Sequence, residues 1–245
     1  MNVLTLDFGN THAHAALFVQ HELVESGVLD DVFTWLKKRQ LTYGEVSGVL
    51  CSVKNYDNEL SEHLKEGLLI DGVKDYWKGQ KFAGMPVHYA NTLGEDRLIA
   101  AWYCFKVLKK PVLHISSGTF FTVDIIDAEG FQGGFILPGL SHQLDSLNLG
   151  AQLSVGAVNP SPDTLTLSRA AQTTEEALQG IFISYAQLIL KLTQRYNLEE
   201  ILINGGAAEQ THQLIKPLLT SLKLSTQPHL NHHALYEWYR RNICL

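Results

Sequence analysis

The sequence predicts an α/β protein built from two similar lobes. Strand-like and helix-like segments alternate along the 245 residues. A strand, a short polar turn and a second strand open the chain at Leu4–Phe18, and the same pattern returns at Leu113–Ile126. Such a recurrence is typical of an internal duplication. We therefore place a first lobe at residues 1–109 and a second at residues 110–245, with a cleft between them as the expected small-molecule site.

The first lobe begins as a β-meander. Short β-branched and apolar runs, separated by Gly, Asn and Ser, predict its strands. We expect strands at Val3–Asp7, His14–Val19, Glu22–Ser26, Val46–Cys51 and Val73–Tyr76. Asp30 or Asp31 can cap a helix that ends at Lys38. Further helices are predicted over Asn58–Lys65 and, from apolar residues at helical spacing, over Arg97–Leu108.

The second lobe begins after Pro111. The same signals predict strands at Val112–Ser116, Phe120–Ile126, Phe135–Leu137 and Ile201–Asn204. They predict helices at Thr174–Tyr196, Ala208–Leu219 and His233–Asn242. The stretch Gly150–Asp163 contains two prolines and is expected to form a loop.

Composition excludes several classes of protein. Lys and Arg number 19 against 25 Asp and Glu, and a net charge of −6 without a basic block argues against nucleic-acid or anionic-membrane binding. The longest apolar run, Leu98–Phe105, is too short to cross a bilayer. Asp7 stands where a signal peptide would be apolar. Cys51, Cys104 and Cys244 form no CxxC motif, so we expect buried, reduced thiols in a cytoplasmic protein.

The first polar turn, Asp7-Phe8-Gly9-Asn10-Thr11, has the composition of a phosphate-binding turn. A carboxylate at a strand end can hold hydrated Mg²⁺, and Gly9 allows an anion close to the backbone. An ordinary Asx-type hairpin turn explains the same residues. The related turn Ser116-Ser117-Gly118-Thr119 favours phosphate binding, because two such turns would grip a polyphosphate from both lobes.

The segment Gly94-Glu95-Asp96-Arg97 can carry acid–base chemistry. Asp96 can accept a proton from a substrate hydroxyl, and Arg97 can form a bidentate pair with a carboxylate. The alternative is structural: Asp96 would be a helix N-cap, and Arg97 would be solvated.

Glycines and histidines give weaker signals. The glycines of Gly133–Gly139 and of Gly205-Gly206 suit either tight packing or a bound ligand. The histidines lack a recurring metal-ligand spacing, so they are interpreted as surface residues. These are His12, His14, His229, His232 and His233.

Taken together, these motifs resemble the type III pantothenate kinases of the acetate/sugar kinase–Hsc70–actin superfamily. The resemblance rests on LDFGNTHAHAALF, YANTLGEDRLIAA, SSGTFFTVDIIDAEGFQGGFILPGL, TTEEALQGIF and ILINGGAA, in the expected order. It implies two ribonuclease H-like lobes and the ATP-dependent phosphorylation of pantothenate to 4′-phosphopantothenate, the first step of coenzyme A synthesis. Mg-ATP, a monovalent cation (K⁺ or NH₄⁺) and a homodimer are implied as well.

The resemblance also implies residue roles. Asp96 would be the catalytic base. The pantothenate pocket would be lined by Tyr89, Gly94, Glu95, Asp96, Arg97 and Thr174. ATP would be bound by Asp7, Phe8, Gly9, Asn10, Thr11, His12, Ala13, His14 and Thr119, with Asp7 holding Mg²⁺ through water.

Two positions depart from the family pattern. The family carries Asp at the position of Ser116, where that Asp helps to bind the monovalent cation, and it usually has a small residue at Phe120. Serine removes a full negative charge, so K⁺ affinity is expected to fall. Two alternatives remain open at this point: a weakened or inactive homologue with a binding or regulatory role, and another phosphotransferase of the same superfamily.

Overall fold

Two five-stranded mixed sheets, one in each of two units, organise the fold. The computed structural model describes residues 1–29, 32–52, 70–147 and 173–243. Unit 1 comprises Met1–Lys109 and Leu230–Leu245, and unit 2 comprises Lys110–His229. The predicted α/β class is therefore confirmed. The cap at Asp30 or Asp31, the helix Asn58–Lys65 and the loop Gly150–Asp163 lie outside the described residues.

Unit 1 contains a large sheet and a small one. The strands are β1 Asn2–Phe8, β2 Ala13–Val19, β3 Glu22–Val28, β4 Val46–Ser52, β5 Ile70–Gly72, β6 Trp77–Lys78, β7 Lys81–Phe82 and β8 Met85–Pro86. The large sheet has the order β3-β2-β1-β4-β5, and β6-β7-β8 form the small one. The first three strands are antiparallel, whereas β4 and β5 run parallel to β1. Short turns can join the antiparallel strands, but parallel pairing requires longer crossovers.

Unit 2 repeats this topology. Its strands are β9 Val112–Ser117, β10 Phe120–Asp127, β11 Gly130–Pro138, β12 Glu200–Asn204 and β13 Lys223–Thr226. They have the order β11-β10-β9-β12-β13, with β12 and β13 parallel to β9. In both sheets the third, second, first, fourth and fifth strands along the chain lie side by side. The duplication predicted from the two strand–turn–strand openings is confirmed.

Helices cover the sheets. Within the described residues they are α1 Val32–Lys38, α2 Glu95–Tyr103, α3 Leu140–Leu147, α4 Thr173–Tyr196, α5 Ala208–Ile215 and α6 Leu230–Asn242. The helix predicted over Arg97–Leu108 is α2 followed by a π-helical turn at Cys104–Leu108. The helix predicted over Ala208–Leu219 ends early, because Pro217 lies in a 3-10 turn at Lys216–Leu218.

No helix in the described parts of the chain combines the length and the apolar character that crossing a bilayer requires.

Side chains alternate between the two faces of β1, and each face packs against a different helix. Leu4, Leu6 and Phe8 join a core cluster that includes α1 residues. Thr5 and Asp7 point to the opposite face, where they contact α6. In unit 2, Leu113 and Ile115 of β9 pack into the core that includes α4 residues. The buried polar residue His114 lies on the other face of the sheet.

The C-terminal helix does not belong to the lobe to which the sequence assigns it. The sequence assigns residues 110–245 to one lobe, but α6 packs on α2 and β1 and belongs to unit 1. Phe18 stacks on Tyr236 with ring centroids 4.3 Å apart. The interpretation of His232 as a surface residue is wrong for the same reason, since α6 buries it against Thr5. A division made along the chain cannot anticipate a segment that returns to the first unit.

The strand predicted at Val73–Tyr76 is also wrong, because this segment is a 3-10 turn after β5. Residues three apart share one side of a 3-10 helix. Val73 is therefore buried, and Tyr76 packs edge-on against Trp238 with centroids 4.7 Å apart.

Candidate active site

Asp7 lies at the carboxyl end of β1 with both carboxylate oxygens engaged. Cys51 Sγ donates to Oδ1 at 3.3 Å, and Asn231 Nδ2 donates to Oδ2 at 2.9 Å. An Asx turn would instead direct this carboxylate to backbone N–H groups of its own turn. Among the described residues, the bonds of Asp7 run to neighbouring elements, which favours the functional interpretation of this side chain.

The turn after β1 presents its polar groups outward. The Gly9 N–H donates to the His12 carbonyl oxygen at 3.1 Å and closes the turn. Asn10, Thr11 and His12 are exposed. A Cβ on Gly9 would lie 3.2 Å from the His12 carbonyl oxygen, so glycine suits this close approach. The turn therefore offers accessible hydroxyl, amide and backbone donors beside a fixed carboxylate.

Asp7 has the surroundings that a hydrated magnesium ion requires. Mg²⁺ is usually bound by one or two carboxylates, with water and phosphate oxygens completing its coordination. In the described residues, no group of three or more His, Cys, Asp or Glu side chains could hold a metal by itself. A single oriented carboxylate beside a phosphate-type turn fits Mg²⁺ that arrives with a nucleotide.

Three predicted site carboxylates lie around the Cys51 thiol. Burial raises the pKa of Cys51, and the negative charges of Asp7, Asp96 and Glu95 raise it further. Cys51 is directly opposite Asp7 in the parallel pairing of β1 with β4, while Glu95 and Asp96 form the first turn of α2. The ends of β1 and β4 and the start of α2 thus bring these carboxylates into one region of unit 1.

Glu95 is tied to the end of β4. Its Oε2 accepts from the Ser52 N–H at 3.0 Å. Burial raises the pKa of the Glu95 carboxyl, and the Ser52 hydrogen bond opposes that shift. Because the raised value belongs to the folded state, protonated Glu95 stabilises the fold below its ordinary pKa of about 4.3. That contribution is lost as the pH rises through the raised pKa.

Glu95→Gln should therefore flatten the pH dependence of stability. The glutamine oxygen still accepts from Ser52, but no charge is buried as the pH rises. Relative to wild type, the variant should gain free energy of unfolding between about pH 4.5 and pH 7. Urea unfolding at both pH values measures this, with Glu22→Gln as an exposed control on β3. A wild-type pH profile in Glu95→Gln would contradict the prediction.

Asp96 and Arg97 do not have the structural roles considered as alternatives. Gly94 is the N-cap of α2 and makes no side-chain cap bond, and Asp96 is the second helical residue. Asp96 Oδ1 accepts from the Arg97 N–H at 2.8 Å. Arg97 is only 6% exposed, and its guanidinium lies 5.9 Å from the ring centroid of Tyr89. A buried arginine stacked on an exposed tyrosine suits anion recognition better than solvation does.

The second polar turn is packed between two glycines. A Cβ on Gly139 would overlap the Gly118 carbonyl oxygen and lie 2.7 Å from that of Thr119. Gly205 has φ of +94°, and a Cβ there would overlap the Ser117 carbonyl oxygen. These glycines of the two ambiguous motifs therefore serve close backbone packing, which fixes the Ser116–Thr119 turn.

The strand register makes Ser116 the counterpart of Asp7. Asp7 is opposite Cys51 and His14, whereas Ser116 is opposite Asn204 and Thr122. Ser116, Asn204 and Thr122 thus form an uncharged row across the second sheet, whereas the equivalent row of the first sheet contains the Asp7 carboxylate. Asp124 lies two residues beyond Thr122 in β10 and is fully buried, with its Oδ2 3.8 Å from His114 Nδ1.

Thr119 and Thr174 belong to unit 2. Thr119 is half-buried in the turn between β9 and β10, and its carbonyl oxygen accepts from the Gly139 N–H at 2.9 Å. Thr174 is the second residue of α4 and is half-buried. Asp7–His14, Tyr89 and Gly94–Arg97 belong to unit 1.

Sequence reasoning did not identify several supporting residues. Asn231 and Cys51 hold Asp7, and only the register of β1 with β4 could have suggested Cys51. Tyr185 Oη donates to the Pro138 carbonyl oxygen at 3.1 Å, next to Gly139. Gln143 Nε2 donates to Tyr185 Oη at 2.6 Å. Burial raises the pKa of Tyr185 to about 12, so its hydroxyl remains a donor at neutral pH.

Solved structures share this fold at low sequence identity. A Campylobacter jejuni protein whose name places it in the Baf family of transcriptional activators has a TM-score of 0.58 and 18% identity, covering 99% of this chain and 100% of its own. The inorganic polyphosphate/ATP-glucomannokinase of Arthrobacter sp. strain KM has a TM-score of 0.50 and 10% identity, covering 98% and 99%. The fold is thus that of the actin-like ATPase and sugar kinase class.

Sequence comparison identifies the family. The type III pantothenate kinase family model matches residues 3–195. The type III pantothenate kinase of Thermomicrobium roseum is 28% identical, covering 98% of this chain and 97% of its own. That of Hyphomonas neptunium is 28% identical, covering 84% and 88%. This chain belongs to the type III pantothenate kinase family.

The family defines the reaction. The protein is a kinase that transfers phosphate from ATP, with a divalent metal, to pantothenate in coenzyme A biosynthesis. These comparisons favour an active enzyme over the inactive or regulatory homologue considered from the sequence.

Proposed function

We propose that Asp96 is the general base of pantothenate phosphorylation. It would accept the proton of the primary hydroxyl as that oxygen attacks the γ-phosphorus, and ADP would leave. The observation that carries this proposal is the attachment of the first turn of α2 to the strand end beside Asp7. Glu95, next to Asp96 in that turn, accepts from Ser52, and the preceding residue Cys51 bonds to Asp7. A proton acceptor beside a predicted phosphate turn suits phosphoryl transfer, where positioning and charge neutralisation supply most of the catalysis.

ATP is proposed to be bound by residues of the two polar turns. Asp7 through His14 would hold the phosphates from unit 1, and Thr119 would contact ATP from unit 2. When bound, the magnesium ion would neutralise phosphate charge, with Asp7 as its protein carboxylate. The fixed orientation of Asp7 and the exposed donors of the Gly9–His12 turn support this assignment.

Pantothenate is proposed to bind at Tyr89, Gly94–Arg97 and Thr174. Its carboxylate is the natural partner of Arg97, because a guanidinium pairs with a carboxylate through two parallel hydrogen bonds. The stacking of Arg97 on Tyr89 supports this role, since it restricts the guanidinium before substrate arrives. Gly94, the N-cap of α2, carries no side chain and would permit close approach of the substrate.

Monovalent-cation binding at Ser116 is proposed to be weak. The uncharged row of Ser116, Asn204 and Thr122 supports this, because the position equivalent to Asp7 carries no carboxylate.

K⁺ or NH₄⁺ should therefore change the wild-type rate less than about twofold, whereas the rate of Ser116→Asp should be clearly stimulated by either ion. Initial rates over a KCl series at constant ionic strength measure this. Ser146→Asp is the control, because Ser146 is exposed. Ser117→Asp is unsuitable, because Ser117 is buried. Strong stimulation of wild type would contradict the prediction.

A cytoplasmic homodimer without nucleic-acid or membrane partners is proposed for the whole protein. Use of ATP supports the location. Two exposed apolar side chains that share one face of the neighbouring strands β10 and β11 support an apolar contact: Phe120 (43%) and Ile136 (56%). Light scattering coupled to gel filtration measures the mass directly, and a monomer at micromolar concentration would contradict the dimer.

The decisive experiment is a phosphorylation assay with purified protein. ADP formation should depend on pantothenate and on Mg²⁺, and mass spectrometry should identify 4′-phosphopantothenate. Sugars and polyphosphate serve as competing acceptors, which tests another activity of the same fold class. ADP formation with a sugar and not with pantothenate would overturn the proposed roles of Tyr89, Arg97 and Thr174.

A further inference from the structure

The first turn of α6 is attached to β1 by two successive side chains. Asn231, the second residue of α6, donates from Nδ2 to Asp7 Oδ2 at 2.9 Å. His232 is buried, and its Nδ1 lies 2.9 Å from Thr5 Oγ1. Thr5 and Asp7 share a face of β1 because side chains two residues apart in a strand do. The start of α6 is therefore held in register with the strand end that carries Asp7.

Asn231 is the stronger of the two restraints on the Asp7 carboxylate. The other donor is the Cys51 thiol at 3.3 Å, and a thiol is a weak hydrogen-bond donor. Each carboxylate oxygen has two lone pairs, so one bond to each leaves a lone pair available on both. The Asn231 amide is also a neutral donor. A positively charged donor would compete with a cation bound at the same carboxylate.

We propose that Asn231 is a positioning residue that orients the Asp7 carboxylate for the hydrated magnesium ion of the nucleotide complex. The inference rests on the proposed function of the Asp7 turn. It assigns to α6, 224 residues further along the chain, a part in metal-dependent nucleotide binding. The helix that returns to unit 1 thus contributes to the site as well as to the core.

Asn231→Leu tests this role by removing the amide donor from a side chain of similar size. In wild type, Mg²⁺ should strengthen ADP binding. In Asn231→Leu that strengthening should fall about tenfold, as expected for the loss of a hydrogen bond to a charged group. ADP affinity without metal and the KM for pantothenate should remain unchanged. Titration calorimetry with ADP, with and without MgCl₂, measures the effect independently of turnover.

Two further variants separate positioning from a general loss of stability. Asn242→Leu is a matched control at the other end of α6, where the Asn242 amide donates to the Trp238 carbonyl oxygen at 2.8 Å. It should leave the Mg²⁺ effect at the wild-type level. Asn231→Gln retains an amide donor and should restore part of the effect.

A double-mutant comparison tests whether Asn231 acts through Asp7. If it does, Asn231→Leu should have no further effect on Mg²⁺-dependent ADP binding in an Asp7→Asn background. An undiminished Mg²⁺ effect in Asn231→Leu, or an equal loss in Asn242→Leu, would overturn the inference alone. Wild-type protein that neither binds ADP nor phosphorylates pantothenate would contradict the proposed function of the Asp7 turn and the inference with it.

Discussion

Asp96→Asn should lower kcat for pantothenate phosphorylation by about a thousandfold, the usual contribution of a positioned general base. Asparagine has the same shape and keeps an oxygen that accepts from the Arg97 N–H, so the start of α2 should survive. It cannot take the hydroxyl proton. The KM for pantothenate should change little, because Arg97 and Tyr89 are unaltered.

The control for this variant is Asp145→Asn, an exposed aspartate on α3. Its kcat should equal that of wild type. A coupled ADP assay gives the rates, and thermal unfolding shows whether both variants remain folded. Near-wild-type turnover in a folded Asp96→Asn protein would falsify the assignment of Asp96 as base and would direct attention to Glu95.

Gly205→Ala should lower the free energy of unfolding by about 3 kcal/mol. Two costs combine at this position. The backbone φ of +94° is unfavourable for any residue with a side chain, and the added Cβ would overlap the Ser117 carbonyl oxygen. Because Ser117 lies in the turn that ends at Thr119, the variant should also bind ATP more weakly.

The adjacent glycine supplies the comparison. A Cβ on Gly206 would meet no atom within 4 Å, and its φ is not in the left-handed region. Gly206→Ala should therefore change the free energy of unfolding by less than about 0.5 kcal/mol. Urea unfolding of both variants measures the difference. Equal stabilities would show that the backbone at Gly205 relaxes and that it does not fix the second turn.

Local sequence patterns were sufficient for the first three strands of each sheet. Short β-branched and apolar runs predicted β1 and β9, and a glycine marked the turn after each of them. The duplication followed from the same information, because two local strand–turn–strand patterns can be compared without knowing how they fold. Short strands such as β5 and the two-residue strands β6, β7 and β8 contain too few residues for a periodic signal and were missed.

The candidate site divides in the same way. Asp7, Asp96, Arg97 and Thr119 could be proposed from the sequence because each lies in a short motif whose residue types suit phosphate or proton chemistry. Their surroundings were not found: the thiol beside Asp7, the stacking of Arg97 on Tyr89 and the glycines against the second turn all join residues from different motifs.

By itself, the sequence determined the α/β class and the duplicated strand order at each opening, and it supplied the chemical groups proposed for the site, since these depend on neighbours along the chain. Only the tertiary structure decided that α6 belongs to unit 1 and that Asn231 reaches Asp7. Contacts of that kind join residues more than 200 positions apart, and no spacing within a segment encodes them.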